Sequence, residues 1–558
     1  MNRLREPAIA FSLANLCYFP VWREILPGAP LLYFLRDAPT HATLLTAIAG
    51  VFILSLLFWG AALSARHAGG VWVQAVRLLF MAVVLSALNS FRKQAPPVAL
   101  RALLPSIGAT VWLVIGAIGA VLALAASLKW WTQIVRFTAA VTLLFFPFAV
   151  LTLGRAAWAV INHERSYADL ADGPYAARSN AESSARGRVV WIVFDELDYR
   201  IAFERRPPGL ALPEVDRFAA ESLHASHAYP PSGETFLSIP ALLTGKHLLR
   251  GEPQGPREMN MVVAESPHEE ELRDGSPTIF SAWRKAGGNA AAVGMCHPYC
   301  RLFNEDLIDC AWVTDYAGQT RKHVPGLGVA ETAMIHVADV LGGFPLMTNL
   351  GVRRSLINRT GGARAKRQAL GVARFERLLS ESKRMLEANE ADLLYLHLSV
   401  PHVPFIYDRE KGVLVDNGRR SYADNLALMD KTLGEFRRIM EAKGTWDTST
   451  VLVTSDHWFR FNLWKPWKSD NENVQLGKET DMRVPLMLKL PQQREGIVYE
   501  RPFSTTPISS LLMALGSDVR TPQDAARWLD EHAPMAKPSC GRNSGCKGPG
   551  PVVPPPAG

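Results

Sequence analysis

The feature that most constrains this chain is the concentration of its apolar residues at one end. The uncharged runs Ala42–Ala65, Ala102–Leu128 and Phe137–Gly154 each approach the roughly 20 residues that a helix needs to cross a bilayer. A fourth run, Val71–Phe91, is long enough but carries Arg77, and a fifth, Ala8–Trp22, is short and contains Pro20. Any one of them could be a buried core helix. Several within about 160 residues, joined by short links, read as a membrane bundle of about five helices over residues 1–162. The run at Ala8 has no small-residue cleavage site after it, so it is read as retained. Arg3 and Arg5 favour a cytoplasmic N-terminus, and an odd number of spans then exports everything that follows; Arg92, Lys93 and Arg101 run against that orientation.

The pattern changes after a polar, small-residue linker at 163–187. Val189–Phe194 is a continuous apolar run rich in β-branched residues, as in a strand buried on both faces. Leu393–Leu398 and Thr450–Thr454 read the same way, and the stretches Val372–Glu387 and Tyr422–Ala442 have helical periodicity. Strands alternating with helices predict an α/β domain with a mainly parallel central sheet over 188–533. The Pro/Gly-rich tail, 534–558, is expected to be disordered.

The net charge of +8 is modest, and nothing in the chain points to nucleic acid. Part of that charge, Arg353, Arg354, Arg359, Arg364, Lys366 and Arg367, follows apolar residues near Phe344 and Leu350, so it reads either as a membrane-surface segment or as a solvated loop. Cys296, Cys300 and Cys310 cluster, as do Cys540 and Cys546 in the tail. One disulfide is expected in each group, which suits an oxidising compartment; free thiols are the alternative. The Cys296–Cys310 spacing fits no common zinc finger.

In open α/β sheets functional groups gather at the carboxyl ends of strands. The first apolar run leads into Asp195-Glu196, the second holds His397 and continues to His402, and the third leads into Ser455-Asp456-His457. One such end is ordinarily a helix cap or a turn, but three in one domain point to a metal site. His224, His227 and His247 read as structural, and Arg460, Lys465 and Lys468 as a surface loop, with contact to an anionic substrate as the alternative.

Taken together, these segments resemble the alkaline phosphatase/sulfatase superfamily over most of residues 188–520. Sulfatases have acidic ligands after a strand, as in Val-Phe-Asp195-Glu196-Leu. Their nucleophile segment, Cys-x-Pro-Ser-Arg-x-x-Leu-Leu-Thr-Gly-Arg, is similar to Thr235-Phe-Leu-Ser-Ile-Pro-Ala-Leu-Leu-Thr244-Gly245-Lys246. Tyr422…Asp430…Leu433-Gly434 followed by Thr450–His457 resembles the family's late helix and metal strand. Gly477-Lys478-x-Thr480…Arg483-Val-Pro485 resembles its substrate-lysine segment, and Gly294-Met-Cys-His297 the segment Gly-Lys-x-His.

The resemblance implies Thr235 as nucleophile, with Asp195, Glu196, Thr235, Asp456 and His457 as ligands of a divalent metal. Zinc stands first, with manganese or magnesium as alternatives. It also implies His297, His402 and Lys478 as groups that stabilise phosphoryl charge, and His397 as a second-metal ligand or a general acid. Threonine cannot be oxidised to the formylglycine on which sulfate-ester hydrolysis depends, and the Pro-Ser-Arg core is replaced by Leu-Ser-Ile. A threonine five residues before Pro240, the pair His397-x4-His402 and several N-terminal spans resemble the phosphoethanolamine transferases, and a nucleophilic threonine is shared with the lipoteichoic acid synthases. The transferases' cysteines around the nucleophile are missing here, and Asp195-Glu196-Leu197 replaces their Gly-Glu-Thr.

The expected activity is transfer of a phospho-head group from a membrane phospholipid donor to a lipid or glycan acceptor, in a protein of the bacterial inner-membrane type with its catalytic domain outside the cytoplasm. A hydrolase on the same fold, and a non-catalytic assembly protein, are the alternatives.

Overall fold

The computed structural model describes residues 5–27, 34, 38–67, 70–94, 130–179, 187–264, 266, 268–314, 328–344, 347, 349–351, 363–460, 476 and 481–533. The apolar run Ala102–Leu128, Lys478, both tail cysteines and residues 534–558 lie outside them, as do Arg353, Arg354 and Arg359. The chain divides into two compact units.

The first unit takes in Met1–Ala29, Ala38–Ala168 and Thr320–Ala363. Three of its helices, His41–His67, Gly70–Phe91 and Trp130–Ile161, are long and apolar enough to cross a membrane. Their outward faces carry large apolar side chains, among them Phe52, Leu56, Leu79, Leu144 and Leu151. A helix apolar all round belongs in lipid rather than water. The third helix is interrupted by a turn at Phe145, where Pro147 enters the next turn without a backbone donor. The run from Ala8 to Trp22, expected as a span, is instead two short helices, Arg5–Cys17 and Phe19–Ile25, separated at Tyr18 just before Pro20.

Residues 320–363, which the sequence reading assigned to the catalytic part, belong to this first unit. The helix Val329–Leu341 packs on His41–His67 and on Phe19–Ile25. Val340 and Phe344 pack against Leu13, Cys17 and Val83, and Asn89 donates to the Gly343 carbonyl at 2.9 Å.

The second unit is built on one sheet. Its parallel centre comprises β1 (Arg188–Phe194), β6 (Ala290–Met295), β7 (Leu307–Val313), β8 (Leu393–Leu398) and β11 (Ser449–Thr454). Beside β11 lies antiparallel β12 (Val484–Lys489), then β2 (Leu223–Tyr229), which pairs with β13 (Ile497–Tyr499) and β14 (Phe503–Ser504). The order is β13-β2-β12-β11-β1-β8-β6-β7. A separate antiparallel sheet of β3 (Leu248–Gly255), β4 (Glu258–Val263) and β5 (Glu269–Leu272) covers one end, and β9 and β10 (Tyr407–Asp408, Val413–Leu414) form a small ladder.

Alternation along β1 shows why its run is continuously apolar. Val189, Trp191 and Val193 enter one core with the helices Thr235–Thr244, Ile279–Lys285, Ile508–Met513 and Pro522–His532. Val190, Ile192 and Phe194 enter the other, with Pro213–Ala220, Ala363–Ala388 and Tyr422–Ala442. Both faces are covered, so neither face of β1 can be polar.

The segment expected as a free linker is partly pinned. Ala176 donates to the Leu307 carbonyl at 2.8 Å, and Trp312 Nε1 donates to Asp172 at 3.0 Å. Cys300 and Cys310 form a disulfide that ties the turn after β6 to β7; Cys296 stays outside it, buried.

Burial on β2 pushes the His224 imidazole down to about 4, between the rings of Tyr199 and Phe203. A depressed pKa means that the unfolded chain takes up the proton first as pH falls. Stability at this residue is therefore lost between about 6.5 and 4. His224→Phe should gain ~1–2 kcal/mol relative to the natural protein at pH 5 and nothing at pH 8. Thermal unfolding in detergent at the two pH values checks this, and an equal difference at both would contradict it.

Candidate active site

Four adjacent parallel strands end at the same edge of the sheet. Register places Val193 of β1 level with His397 of β8 and with Thr454 of β11. Asp195 and Asp456 each follow two residues later, so they meet side by side. His297 lies two residues past the end of β6.

Asp195, Asp456 and His457 offer one ligand atom each, all within 4.8 Å of one another. His457 Nε2 is 3.3 Å from Asp195 Oδ1 and 3.5 Å from Asp456 Oδ2. The Thr235 hydroxyl completes the group, 3.2 Å from His457 Nε2 and 3.5 Å from Asp195 Oδ1. Its helix, Thr235–Thr244, begins at this residue, so the hydroxyl sits at the positive end of the helix dipole. Ser238 Oγ accepts from Ser232 N at 3.1 Å and lies 2.9 Å from Ser232 O, which closes the loop just before the helix. Gly245, at φ 71°, ends it in the left-handed conformation that glycine adopts without strain.

The site is nearly dry: Asp195, Asp456 and His457 are each at most 1% exposed, and Thr235 is 9%. Burial raises the Asp456 carboxyl above its ordinary range and drives the His457 imidazole well below its own. Asp456 Oδ2 accepts no conventional hydrogen bond among the described residues. Two carboxylates, an imidazole and a hydroxyl in such a space fit a divalent cation, because a cation reverses the cost of ionising them there. A ligand set containing imidazole suits zinc or manganese better than calcium.

Glu196 was expected in this set, and the structure does not bring it there. Its backbone sits at φ 67°, and its Oε1 accepts from Arg460 N at 2.9 Å. Glu196 instead braces the site: its N–H donates to Asp456 Oδ1 at 3.1 Å, and Tyr422 Oη donates to its carbonyl at 2.7 Å.

The histidines take different places. His297 Nε2 is 3.4 Å from the Thr235 carbonyl oxygen, to which it can only donate, and its ring stacks on Phe236 and meets the edge of Phe34. Burial pushes it down to about 4, so at neutral pH it is an uncharged support for the Thr235 helix. It was expected to stabilise phosphoryl charge; its Nε2 lies on the carbonyl of Thr235, beside the expected nucleophile. His397 Nδ1 is 2.9 Å from Tyr299 Oη inside the core, and burial, then the neighbouring His297 and His402, push it down to about 3. His402 donates Nδ1–H to its neighbour's carbonyl, Val403 O, at 2.6 Å, and its backbone N–H donates to Asp195 O at 3.1 Å. Its ring lies 6.3 Å from that of His457. Lys478 is outside the described residues.

Three contributors were not legible as such. Arg460, read first as a surface-loop residue with contact to anionic substrate as the alternative, is almost buried: Nη1 donates to Gly233 O at 2.7 Å, beside the Thr235 helix. Its place three residues after His457 was the available signal. Asp198 accepts from Ile201 N and Phe459 N, joining the segment after β1 to that after β11, and burial raises it to about 6. Ser455 Oγ accepts from Leu197 N at 2.8 Å and bridges the same two segments.

Asp456→Asn should lower bound divalent metal by about tenfold or more, because it removes a ligand charge. Glu196→Gln should keep the metal within about twofold. Metal analysis of the purified proteins separates the two, and equal losses would return Glu196 to the ligand set.

Residues 347–516 match the sulfatase family model. An N-acetylgalactosamine-6-O-sulfatase of Bacteroides thetaiotaomicron is 21% identical over 411 residues, covering 64% of this chain and 77% of that protein. Among solved structures, the lipoteichoic acid synthase LtaP of Listeria monocytogenes aligns with 14% identity over 64% of this chain and 78% of its own, with a TM-score of 0.35. The phosphonate monoester hydrolase of Agrobacterium radiobacter aligns with 13% identity over 59% and 74%, with a TM-score of 0.36. The chain is thus similar to sulfatases, through the segment 347–516 and the relative's alignment.

Proposed function

We propose that this enzyme is a membrane-bound, metal-dependent phosphotransferase. It moves a phospho-head group, of the phosphoethanolamine or phosphoglycerol type, from a phospholipid to a lipid or glycan acceptor through a phospho-threonine at Thr235. The observation that carries this reading is the Thr235 hydroxyl within the Asp195–Asp456–His457 group. A threonine there can take a phosphoryl group but cannot become the aldehyde of a sulfate-ester hydrolase.

Asp195, Asp456 and His457 would hold a divalent cation, zinc first by the donor set, which supplies positive charge beside the attacking oxygen. In the first step the Thr235 hydroxyl loses its proton to solvent, the bond from Oγ1 to phosphorus forms and the phosphorus–oxygen bond to the diacylglycerol breaks. The leaving oxygen takes a proton, and we assign its delivery to His402, whose Nδ1 is committed to the Val403 carbonyl and whose Nε2 is the second titrating atom. In the second step an acceptor hydroxyl gives up its proton to His402 and attacks phosphorus, the bond from phosphorus to Thr235 Oγ1 breaks, and that oxygen takes up a proton from solvent. Negative charge on the phosphoryl oxygens is met by the N-terminal end of the Thr235 helix and by the guanidinium of Arg460. His297 keeps the helix start in place by its bond to the Thr235 carbonyl.

Three apolar helices suit a protein whose donor is a lipid. The Cys300–Cys310 disulfide favours a catalytic domain in an oxidising, extracytoplasmic compartment.

A phospholipid labelled in its head group, presented in vesicles with candidate lipid and glycan acceptors, tests the reading. Label should pass to the acceptor. With the acceptor withheld, it should stay on the protein. Thr235→Ala should lower transfer by about a thousandfold or more while the protein still folds; Thr235→Ser should keep part of the activity. Near-normal turnover by Thr235→Ala would refute the mechanism, and Ser232 and Ser238 would be tested next. Release of free head group alone, with acceptors present, would identify a hydrolase.

A further inference from the structure

The three long helices and Arg5–Cys17 border an open-sided cavity of about 500 Å³ within the first unit. That is within the roughly 300–1,000 Å³ of ordinary small-molecule sites. Most of its lining is apolar, including Leu13, Phe58, Phe80 and Val83. Arg77 and Arg136 also line it, and neither makes a hydrogen bond or ion pair with a described residue. Glu6, the one acid in the lining, is already bound to Arg66, at 3.2 Å from Nε. Among the described residues, therefore, no anion matches these two cationic groups.

Depth gives these arginines a meaning. Arg77 is seven residues into Gly70–Gln94, and Arg136 six residues into the helix that starts at Trp130; each is roughly 10 Å along its axis. The two helix starts lie at the same end, since Trp131 Nε1 donates to Gln74 Oε1 at 2.9 Å. Trp72 and Trp130 stand exposed there, as tryptophans do where hydrocarbon meets headgroups. Ionisable side chains just inside that boundary are costly unless something answers their charge. A guanidinium pair matches the geometry of a phosphate, and the apolar lining matches an acyl chain.

We propose that this cavity is a binding site for one anionic glycerophospholipid, its phosphate held by Arg77 and Arg136 and an acyl chain in the groove beneath. The chain leaves the same helix at Ile161, its other end. The site thus lies in the leaflet opposite that exit, and its lipid is a resident ligand. The inference does not depend on the phosphotransferase reading.

The full chain, purified in detergent, is titrated with phosphatidylglycerol and with phosphatidylcholine, and bound lipid is read by native mass spectrometry. Phosphatidylglycerol should bind at least about tenfold tighter. The double variant Arg77→Gln/Arg136→Gln should lose that preference. Ala62→Phe, which fills the groove and leaves both arginines in place, should lower binding of either lipid. Elution as a single folded species and unchanged metal content of the catalytic domain confirm that each variant is intact; if one fails to fold, the other still decides. Equal affinity for the two lipids in the natural protein, no retained lipid because the groove is filled by the protein's own chain, or an undiminished preference in the double variant would overturn the proposal.

Discussion

Everything at the active site depends on the parallel pairing of β1 between β8 and β11. That pairing is held by apolar side chains on both faces of β1, and the register Val193–Thr454 sets Asp195 beside Asp456. A slip of one residue between β1 and β11 would turn every side chain of one strand to the opposite face and would separate the two carboxylates. The cost of such a slip is what fixes the site, because Val190, Ile192, Val451 and Val453 would leave one core and meet the other. The same cores offset an unfavourable arrangement. Two carboxylates and an imidazole, nearly without solvent, repel or neutralise one another unless a cation joins them.

The strand ends were legible in the sequence for the same reason. A strand covered on both faces is apolar throughout, so the first polar residues after it stand out. Asp195, Asp456 and His457 stand out in this way, and Thr235 and His297 through the similarity of their flanking segments. What sequence could not supply was direction. Asp195 and Glu196 are neighbours of the same chemical type, and only the left-handed backbone at Glu196 decides which carboxylate faces the cluster. His297 follows a strand like the others, yet it bonds to a carbonyl and packs between aromatic rings. Arg460 reads as a soluble loop residue, and its burial comes from two partners, Glu196 and Gly233, that are more than 200 residues away in the chain.

Unit boundaries were the least legible part. The helix Val329–Leu341 has an ordinary amphipathic composition and no run long enough to span a membrane, so nothing in it marks a return to the first unit. Only its packing on His41–His67 and the bond from Asn89 to Gly343 reveal the return. The short first helices mislead in the opposite sense. Their composition is that of a span, but Pro20 stops one helix from running through, and the pair ends as two pieces.

The choice of threonine is itself informative about how the site works. Its β-branched side chain has few rotamers, so an oxygen placed on it loses little freedom when it must point at one spot. The backbone beneath is held from three sides: by the Ser232–Ser238 closure, by the His297 bond to the Thr235 carbonyl, and by the αL cap at Gly245. A hydroxyl so constrained has its orientation set before substrate arrives, and that lowers the entropic part of a barrier. Serine would offer the same oxygen with more freedom, and cysteine would offer an oxidisable atom. Under the phosphotransferase reading proposed above, the stiff residue suits a site that forms a phosphoester, keeps it from bulk water until an acceptor comes, and then releases it. The near-absence of solvent around Asp195, Asp456 and His457 acts in the same direction, because an adduct on Thr235 meets few water molecules there.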